Sequence, residues 1–181
     1  MRTKRLFVCI ELPDSITEFL AHLDPNLRGV RWLTPEQMHL TLSFLGSVSS
    51  DAEEKLRENL STIRVTSFFL SVGGVGTFPA KGRPKIIWTG VGSGHPHLFQ
   101  LYKRVQEAVL AAGIEPDLRP WHPHITLARC NESIDAAAVR QFVKTHADVE
   151  VGLIRVTSFA LYSSELTPAG SVYTRELEVA L

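Results

Sequence analysis

Two short segments of this 181-residue chain repeat one pattern, and they constrain its fold more than any other feature. His39-Leu40-Thr41-Leu42 recurs as His124-Ile125-Thr126-Leu127, and each copy lies in a run of β-forming residues. Because side chains alternate between the two faces of a strand, each copy puts its histidine and threonine on one face and aliphatic residues on the other. The same alternation puts Ser43 on the face of His39, and Ala128 on the face of His124.

The rest of the chain alternates strand-like and helical segments. Strands are predicted over residues 4–11, 30–33, 38–45, 65–75, 85–91, 123–129, 149–162 and 171–180. Helices are predicted from Pro13 to Leu23 (with Ile16, Phe19 and Leu20 on the apolar face), from Ser50 to Ile63, and over 96–112 and 134–146. A loop is predicted over 76–84, and a turn over Thr167-Pro168-Ala169-Gly170. This order favours an α+β fold over a doubly wound parallel sheet.

Charge and cysteine content exclude several classes of protein. The chain has 19 basic and 19 acidic residues, which argues against a protein that follows long duplex nucleic acid. The basic N-terminus, Met1 to Arg5, precedes an apolar run that is too short for a signal sequence, and no segment is long enough to span a bilayer. Cys9 and Cys130 lie in apolar strands and are predicted to be buried free thiols. A cytoplasmic protein is expected.

Two histidine–threonine pairs facing one cleft suit chemistry at phosphorus. A neutral imidazole can take a proton from an attacking hydroxyl, and an imidazolium can protonate the departing oxygen. The threonine hydroxyls can hold the non-bridging oxygens of a phosphate. Histidine needs little tuning for this work because its ordinary pKa is about 6.5, and a bell-shaped pH–rate profile is expected. No metal is required for such a mechanism.

The stretches MHLTLSFLG (38–46) and WHPHITLAR (121–129) resemble the paired signatures of the two-histidine phosphoesterase superfamily, and especially its RNA 2′,3′-cyclic phosphodiesterase branch, historically called 2′-5′ RNA ligase. Residues 5–13, 76–91 and 161–181 extend the resemblance over nearly the whole chain. It implies one bilobal α+β domain over residues 1–181. Two pseudo-symmetric lobes of antiparallel sheet with outer helices would surround a central cleft.

The resemblance also implies an activity and a set of site residues. The activity is hydrolysis of RNA 2′,3′-cyclic phosphate ends to 2′-phosphomonoesters without metal or cofactor, with 2′-5′ ligation as the reverse reaction. His39 would be the acid and His124 the base, while Thr41 and Thr126 would bind the phosphate. Arg129 resembles an arginine common at that position and is expected to bind substrate. A monomer with no membrane attachment and no obligate protein partner is expected.

Several residues near the motifs have competing interpretations. Strict alternation puts Arg129 on the face opposite His124 unless a bulge turns it. His122 shares the parity of His124, but Pro123 lies between them and no carboxylate has ligand-like spacing, so a rim position is predicted rather than a metal site. The basic residues Lys81, Arg83 and Lys85 lie in a loop that is either simply solvated or a platform for RNA phosphates. Phe7, Phe78 and Tyr162 are candidates for stacking on a terminal base.

Three other functions are compatible with the same residues. The enzyme could act on a small substrate such as a cyclic mononucleotide or an ADP-ribose cyclic phosphate. Equal rates of turnover on an oligonucleotide and on a mononucleotide would argue for this alternative. The fold could bind a nucleotide or an RNA end without turnover, although intact histidines and threonines in both motifs argue against this. A metallohydrolase would lose activity in chelator, whereas a two-histidine enzyme would not.

Overall fold

The computed structural model describes residues 3–91, 95–168 and 170–181. Met1 and Arg2 of the basic N-terminus and Ala169 of the predicted turn lie outside the described residues. The strands are β1 (Thr3–Ile10), β2 (Val30–Trp32), β3 (Leu40–Ser49), β4 (Phe68–Phe78), β5 (Ile86–Val91), β6 (His124–Cys130), β7 (Glu150–Val156), β8 (Ser158–Thr167) and β9 (Gly170–Ala180). The helices are α1 (Asp14–His22), α2 (Ser50–Ser61), α3 (Pro96–Ala111) and α4 (Ala136–Thr145), with a 3₁₀ turn at Pro35–Gln37.

The described strands form one antiparallel sheet in the order β7-β4-β5-β6-β3-β1-β8-β9, and β2 pairs with β6 outside this path. The eight strands of this path divide into two halves of four, which meet where β6 pairs with β3, and β2 adds to the half that contains β6. Each half contributes one histidine motif at this central seam. The α+β fold with two pseudo-symmetric lobes is therefore confirmed.

The helices cover the apolar side of the sheet and leave its other side open. α1 and α4 contact β7 and β4 in one half, whereas α2 and α3 pack on each other and on β3 in the other half. Leu20, Leu56, Leu101 and Val139 are fully buried, one from each helix. Burial of such apolar surface is the main favourable term in folding. The prediction that Phe19 faces the core is wrong, because its ring is 41% exposed.

The predicted strand over 149–162 is two strands in opposite halves of the sheet. β7 ends at Val156 beside β4, and β8 begins at Ser158 between β1 and β9. The chain therefore crosses from one lobe to the other at Thr157. The sequence over 149–162 predicts a single strand because β-forming residues continue through the crossing. The two parts differ only in the strands with which they pair.

The predicted loop over 76–84 begins later than expected, because β4 continues to Phe78. Gly76 pairs with Trp88 of β5, and a Cβ atom at Gly76 would lie 2.3 Å from the indole ring. The glycine is thus part of a strand that needs room for a neighbouring ring, rather than part of a turn. No helix in the described ranges is long and apolar enough to cross a membrane.

Candidate active site

The two histidine motifs meet at the central seam of the sheet. β3 and β6 pair antiparallel through Leu40 and Ile125, and each of these residues directly follows the histidine of its motif. Both side chains are fully buried, so the neighbouring positions point to the open side of the sheet. In an antiparallel register this puts each histidine beside the threonine of the other motif.

A β-bulge follows the threonine in β3 and changes which side chains face the cleft. The pairing of β3 with β1 slips by one residue at Leu42. Beyond it the alternation is reversed, so Ser43 is only 5% exposed and Phe44 is 58% exposed. The ring of Phe44 lies 6.3 Å from that of Phe7, which itself stacks on His39 at 4.8 Å. The prediction that Ser43 shares the histidine face is wrong.

An equivalent bulge in β6 turns Arg129 toward the site. The pairing of β6 with β5 slips at Leu127, so that Ala128 is buried and Arg129 is exposed. Arg129 lines the cleft with Thr126. The prediction that Ala128 shares the face of His124 is therefore wrong. Strict alternation also predicts that Arg129 lies on the face opposite His124, and this prediction is wrong as well. The bulge is the feature that brings the guanidinium beside the motif.

His39 is packed among aromatic rings. Its imidazole stacks on Phe7 at 4.8 Å, and Tyr173 meets it edge-on at 5.5 Å. Burial lowers the pKa of His39 to about 4, since desolvation disfavours the charged imidazolium, and the charge of His124 adds to the decrease. A hydrogen bond to the backbone of Gln37 acts in the opposite direction. In the free protein, His39 is therefore neutral at neutral pH.

His124 is held in one tautomer. Its Nδ1 lies 2.6 Å from the backbone carbonyl oxygen of His122. Because a carbonyl only accepts, Nδ1 carries the proton and Nε2 of the neutral ring keeps its lone pair. Phe78 meets the ring edge-on at 5.0 Å, and Trp88 lies 6.4 Å away. Burial lowers the pKa of His124, and the charge of His122 lowers it further.

One continuous cleft contains all five predicted site residues. A cavity of about 490 Å³ lies on the His124 side, and a second of about 270 Å³ lies on the His39 side. The two cavities share Thr41, Phe44, Thr126 and Arg129 in their walls. Together they have the size of a small-molecule site. The arrangement can supply a proton acceptor, a proton donor, two hydroxyls and one cation to a single phosphate.

Trp121 fixes the segment that precedes the second motif against the other lobe. Its indole Nε1 donates a hydrogen bond of 3.1 Å to the backbone oxygen of Thr41 on β3. Its ring stacks face to face on Tyr102 of α3, with centroids 4.1 Å apart and planes inclined by 4°. A part-buried hydrogen bond combined with stacking ties the segment before β6 to β3 and α3.

The structure also brings in residues that the motif pattern did not indicate. Phe44 is the clearest example, and its signal was present in the sequence, since it follows His39 by the same five positions that separate Arg129 from His124. Of the three stacking candidates, Phe7 and Tyr162 line a further cavity beside His39 and Phe78 lines the His124 side. His122 lines the His124 side as well, which agrees with the rim position predicted for it.

The basic loop residues Lys81, Arg83 and Lys85 are not among the residues that line the two cavities of the cleft. In the part of the chain that the structure describes, no group of three or more histidine, cysteine and carboxylate side chains is arranged to hold a metal ion.

Comparison with known proteins gives one consistent family. The family model of LigT-like phosphoesterases matches residues 8–88 and 91–173, so that each matched segment contains one histidine motif. The RNA 2′,3′-cyclic phosphodiesterase of Aeropyrum pernix is 35% identical over 164 residues, which cover 91% of this chain and 92% of the relative. The enzyme of the same name from Archaeoglobus fulgidus is 33% identical over 172 residues, which cover 93% and 96% of the two chains.

Solved structures agree with the sequence comparison. The crystal structure of a phosphoesterase has a TM-score of 0.83 at 28% identity, and the match covers 99% of both chains. Escherichia coli LigT in complex with 3′-AMP has a TM-score of 0.80 at 29% identity, again over 99% of both chains. With both motifs in matching segments and the fold shared over its full length, this chain belongs to the LigT-like phosphoesterase family.

Proposed function

We propose that this chain hydrolyses the 2′,3′-cyclic phosphate ends of RNA to 2′-phosphomonoesters, with His39 and His124 as acid and base and without a metal. The observation that carries the proposal is the pairing of two imidazoles with two threonines in one cleft. The similarity to RNA 2′,3′-cyclic phosphodiesterases supports the same reaction, and the complex of LigT with 3′-AMP supports a nucleotide ligand.

His124 is the base that activates water. Its Nδ1–H is directed to the carbonyl of His122, so the Nε2 lone pair is available to accept a proton. The water oxygen then forms a bond to phosphorus as its proton moves to Nε2. The hydrogen bond to His122 also stabilises the imidazolium that results, because the carbonyl oxygen continues to accept from Nδ1.

His39 is the acid that protonates the leaving oxygen. As the bond between phosphorus and the ribose 3′ oxygen breaks, the imidazolium gives its proton to that oxygen, leaving a 3′-hydroxyl and a 2′-phosphomonoester. Free His39 is neutral at neutral pH, so it must gain its proton when substrate binds. The negative charge of the cyclic phosphate favours this, since an anion near an imidazole raises its pKa.

Thr41, Thr126 and Arg129 bind the non-bridging oxygens. The two hydroxyls lie beside opposite histidines, so they hold the phosphate with its attacked side toward His124 and its leaving oxygen toward His39. Arg129 adds a fixed positive charge where negative charge develops in the transition state. Ligation would use the same groups in the same order, with a 5′-hydroxyl in the place of water as the nucleophile and the 3′ oxygen again as the leaving group.

We also propose that residues 1–181 act as one bilobal domain, as a monomer in the cytoplasm and without an obligate protein partner. Each lobe supplies one histidine, so neither lobe alone has a complete site. Cys9 and Cys130 are free thiols, as is usual for proteins of a reducing compartment.

Product analysis on a short RNA with a 2′,3′-cyclic phosphate end tests the proposal directly. The expected product is only the 2′-phosphomonoester, formed at the same rate with and without excess chelator, because the proposed acid and base are both imidazoles. A 3′-phosphomonoester would contradict the assignment of the leaving oxygen. Loss of activity in chelator, restored by added metal, would contradict the metal-free mechanism.

Phe44 is expected to stack on the terminal base. Its ring is 58% exposed within the cleft and shares both cavity walls with the catalytic residues. Stacking of a base on an aromatic side chain is worth about 1–3 kcal/mol, so F44A should raise KM for the cyclic end by about 5- to 150-fold and F44W should restore it. Phe69 on β4 is 54% exposed and does not line the cleft, so F69A is the matched control. Equal effects of F44A and F69A would exclude the stacking role.

A further inference from the structure

Arg5 is an unpaired cation at the His39 end of the cleft. It lies two residues before Phe7 on β1, so both side chains point to the open side of the sheet, and it lines the His39-side cavity with Arg129. Its side chain is exposed and takes part in none of the ion pairs or side-chain hydrogen bonds of the described residues. The adjacent Lys4, by contrast, is bound to two carboxylates at 3.0 and 3.1 Å.

Arg31 is a second unpaired cation, and its position is electrostatically unfavourable. It lies directly opposite Arg129 in the pairing of β2 with β6. Its neighbours Val30 and Trp32 pack toward the core, so its side chain shares the open face of the sheet with Arg129. Like charges in directly opposite positions destabilise a sheet. Neither arginine has an acidic partner within the described ranges, and a bound anion would relieve the repulsion.

The β8–β9 hairpin closes this end of the cleft with further hydrogen-bonding groups. Ser164 and Ser171 line the same cavity as Arg5. A Cβ atom at Gly170 would lie 3.4 Å from Nη1 of Arg31, so the guanidinium reaches the hairpin. The hairpin is held there by Gln37, whose Nε2 donates a hydrogen bond of 3.2 Å to the backbone oxygen of Ser171. Guanidinium and hydroxyl groups are characteristic ligands of phosphate.

The orientation of the substrate indicates which phosphate this end receives. In the proposed reaction His39 protonates the ribose 3′ oxygen, so the terminal ribose lies on the His39 side of the reacting phosphorus. Its 5′ oxygen then leads toward Arg5 and the hairpin. We infer that Arg5 and Arg31 bind the phosphodiester that joins the terminal nucleotide to the preceding one, and thereby favour RNA ends over nucleoside cyclic phosphates. This inference rests on the proposed function and assigns to Arg5 and Arg31 the phosphate contacts considered for Lys81, Arg83 and Lys85.

The test compares three substrates: adenosine 2′,3′-cyclic phosphate, the dinucleotide ApA with the same cyclic end, and that dinucleotide with an uncharged methylphosphonate linkage. For the wild-type protein, kcat/KM should be highest on the phosphodiester dinucleotide. R5Q and R31Q should each lower the ratio of kcat/KM on the dinucleotide to that on the mononucleoside by about tenfold, because each removes a charge-assisted contact. Because the readout is a ratio within one preparation, partial misfolding does not affect it.

The methylphosphonate separates charge recognition from contacts to the second nucleoside. It should reduce wild-type kcat/KM about as much as the substitutions do, and R5Q should cause little further loss on it. R140Q, on the exposed face of α4, is the matched control and should leave the ratio unchanged. Equal losses of R5Q on all three substrates, or equal wild-type rates on dinucleotide and mononucleoside, would overturn the subsite while leaving the proposed chemistry intact. No turnover of any cyclic end would overturn the proposed function itself.

Discussion

Replacing either His39 or His124 by alanine is expected to lower kcat on an RNA 2′,3′-cyclic phosphate by ~10²–10⁴-fold, which is the usual contribution of one general acid or base. The double variant should lose much less than the product of the two single losses, because removing one group disables the concerted transfer in which both take part. KM should change little in comparison, since Thr41, Thr126 and Arg129 still bind the phosphate. Steady-state kinetics of the three variants would measure these effects.

The matched control is His22, which lies at the exposed end of α1 and whose ring bonds only to a backbone oxygen of its own helix. H22A should retain wild-type activity. If H39A or H124A retained activity similar to that of H22A, the two-histidine mechanism would be wrong. If all the proteins bound a cyclic end equally and none turned it over, the chain would be a binding module instead of an enzyme.

A substrate with an activated leaving group distinguishes acid from base. In 3′-deoxyadenosine 2′-(4-nitrophenyl phosphate), nitrophenolate takes the place of the 3′ oxygen and leaves without a proton. H39A should therefore lose much less activity on this ester than on the cyclic phosphate, whereas H124A should be impaired on both. The opposite pattern would exchange the two roles and leave the set of site residues unchanged.

The central part of the site could be predicted because its signal is local. Alternation in two strands was enough to pair each histidine with a threonine and to bury Leu40 and Ile125 behind them. The two bulges could not be predicted in this way. The extra residues, Leu42 and Leu127, are aliphatic, so the pattern still reads as unbroken alternation, and the slip appears only in the pairing with neighbouring strands.

The crossing at Thr157 escaped prediction for a related reason. Nothing in the local composition separates β7 from β8, yet β7 pairs with β4 and β8 with β1, far apart in the sheet. That crossing brings Tyr173 to the histidine of the first motif and Tyr162 to Phe7, which stacks on that histidine, although both tyrosines lie in the C-terminal part of the chain. The aromatic packing around His39 therefore depends on topology, and so does the decrease in its pKa.

The decreased pKa values of the two histidines predict an acidic optimum for kcat/KM. The singly protonated pair is the active form, because one imidazole must be neutral and the other charged. In the free protein the singly protonated pair predominates between about pH 4, the pKa of His39, and the pKa of His124, which burial holds below its usual 6.5. Because the pKa of His39 is the lower of the two, the proton lies mainly on His124, and the reactive form with the proton on His39 is a minor fraction. Both forms carry one proton, so this fraction has the same pH dependence as the pair. Above that window kcat/KM should fall tenfold per pH unit, to less than about one hundredth of its maximum by pH 8.5.

The kcat profile should lie at higher pH than the kcat/KM profile. kcat reports the complex, in which the phosphate anion next to both rings raises the pKa of each. The two limbs belong to the coupled pair, and a change in the surroundings of one histidine should move mainly the limb that lies nearer to its pKa. Titration of the imidazole protons by NMR should show the same increase when a nucleoside 2′-phosphate is added. A kcat/KM maximum above pH 7, or a flat profile from pH 5 to 8, would contradict the assignment.

H122Q provides an internal control for this interpretation. The charge of His122 contributes to the decreased pKa of His124, so glutamine at this position should raise the pKa of His124. The carbonyl that holds Nδ1 belongs to the backbone and remains in place. The alkaline limb of kcat/KM should therefore move to higher pH in H122Q, while the acid limb, which reflects the burial of His39 among Phe7 and Tyr173, should stay where it is. A shift of the acid limb alone would show that the pair had been assigned to the wrong limbs.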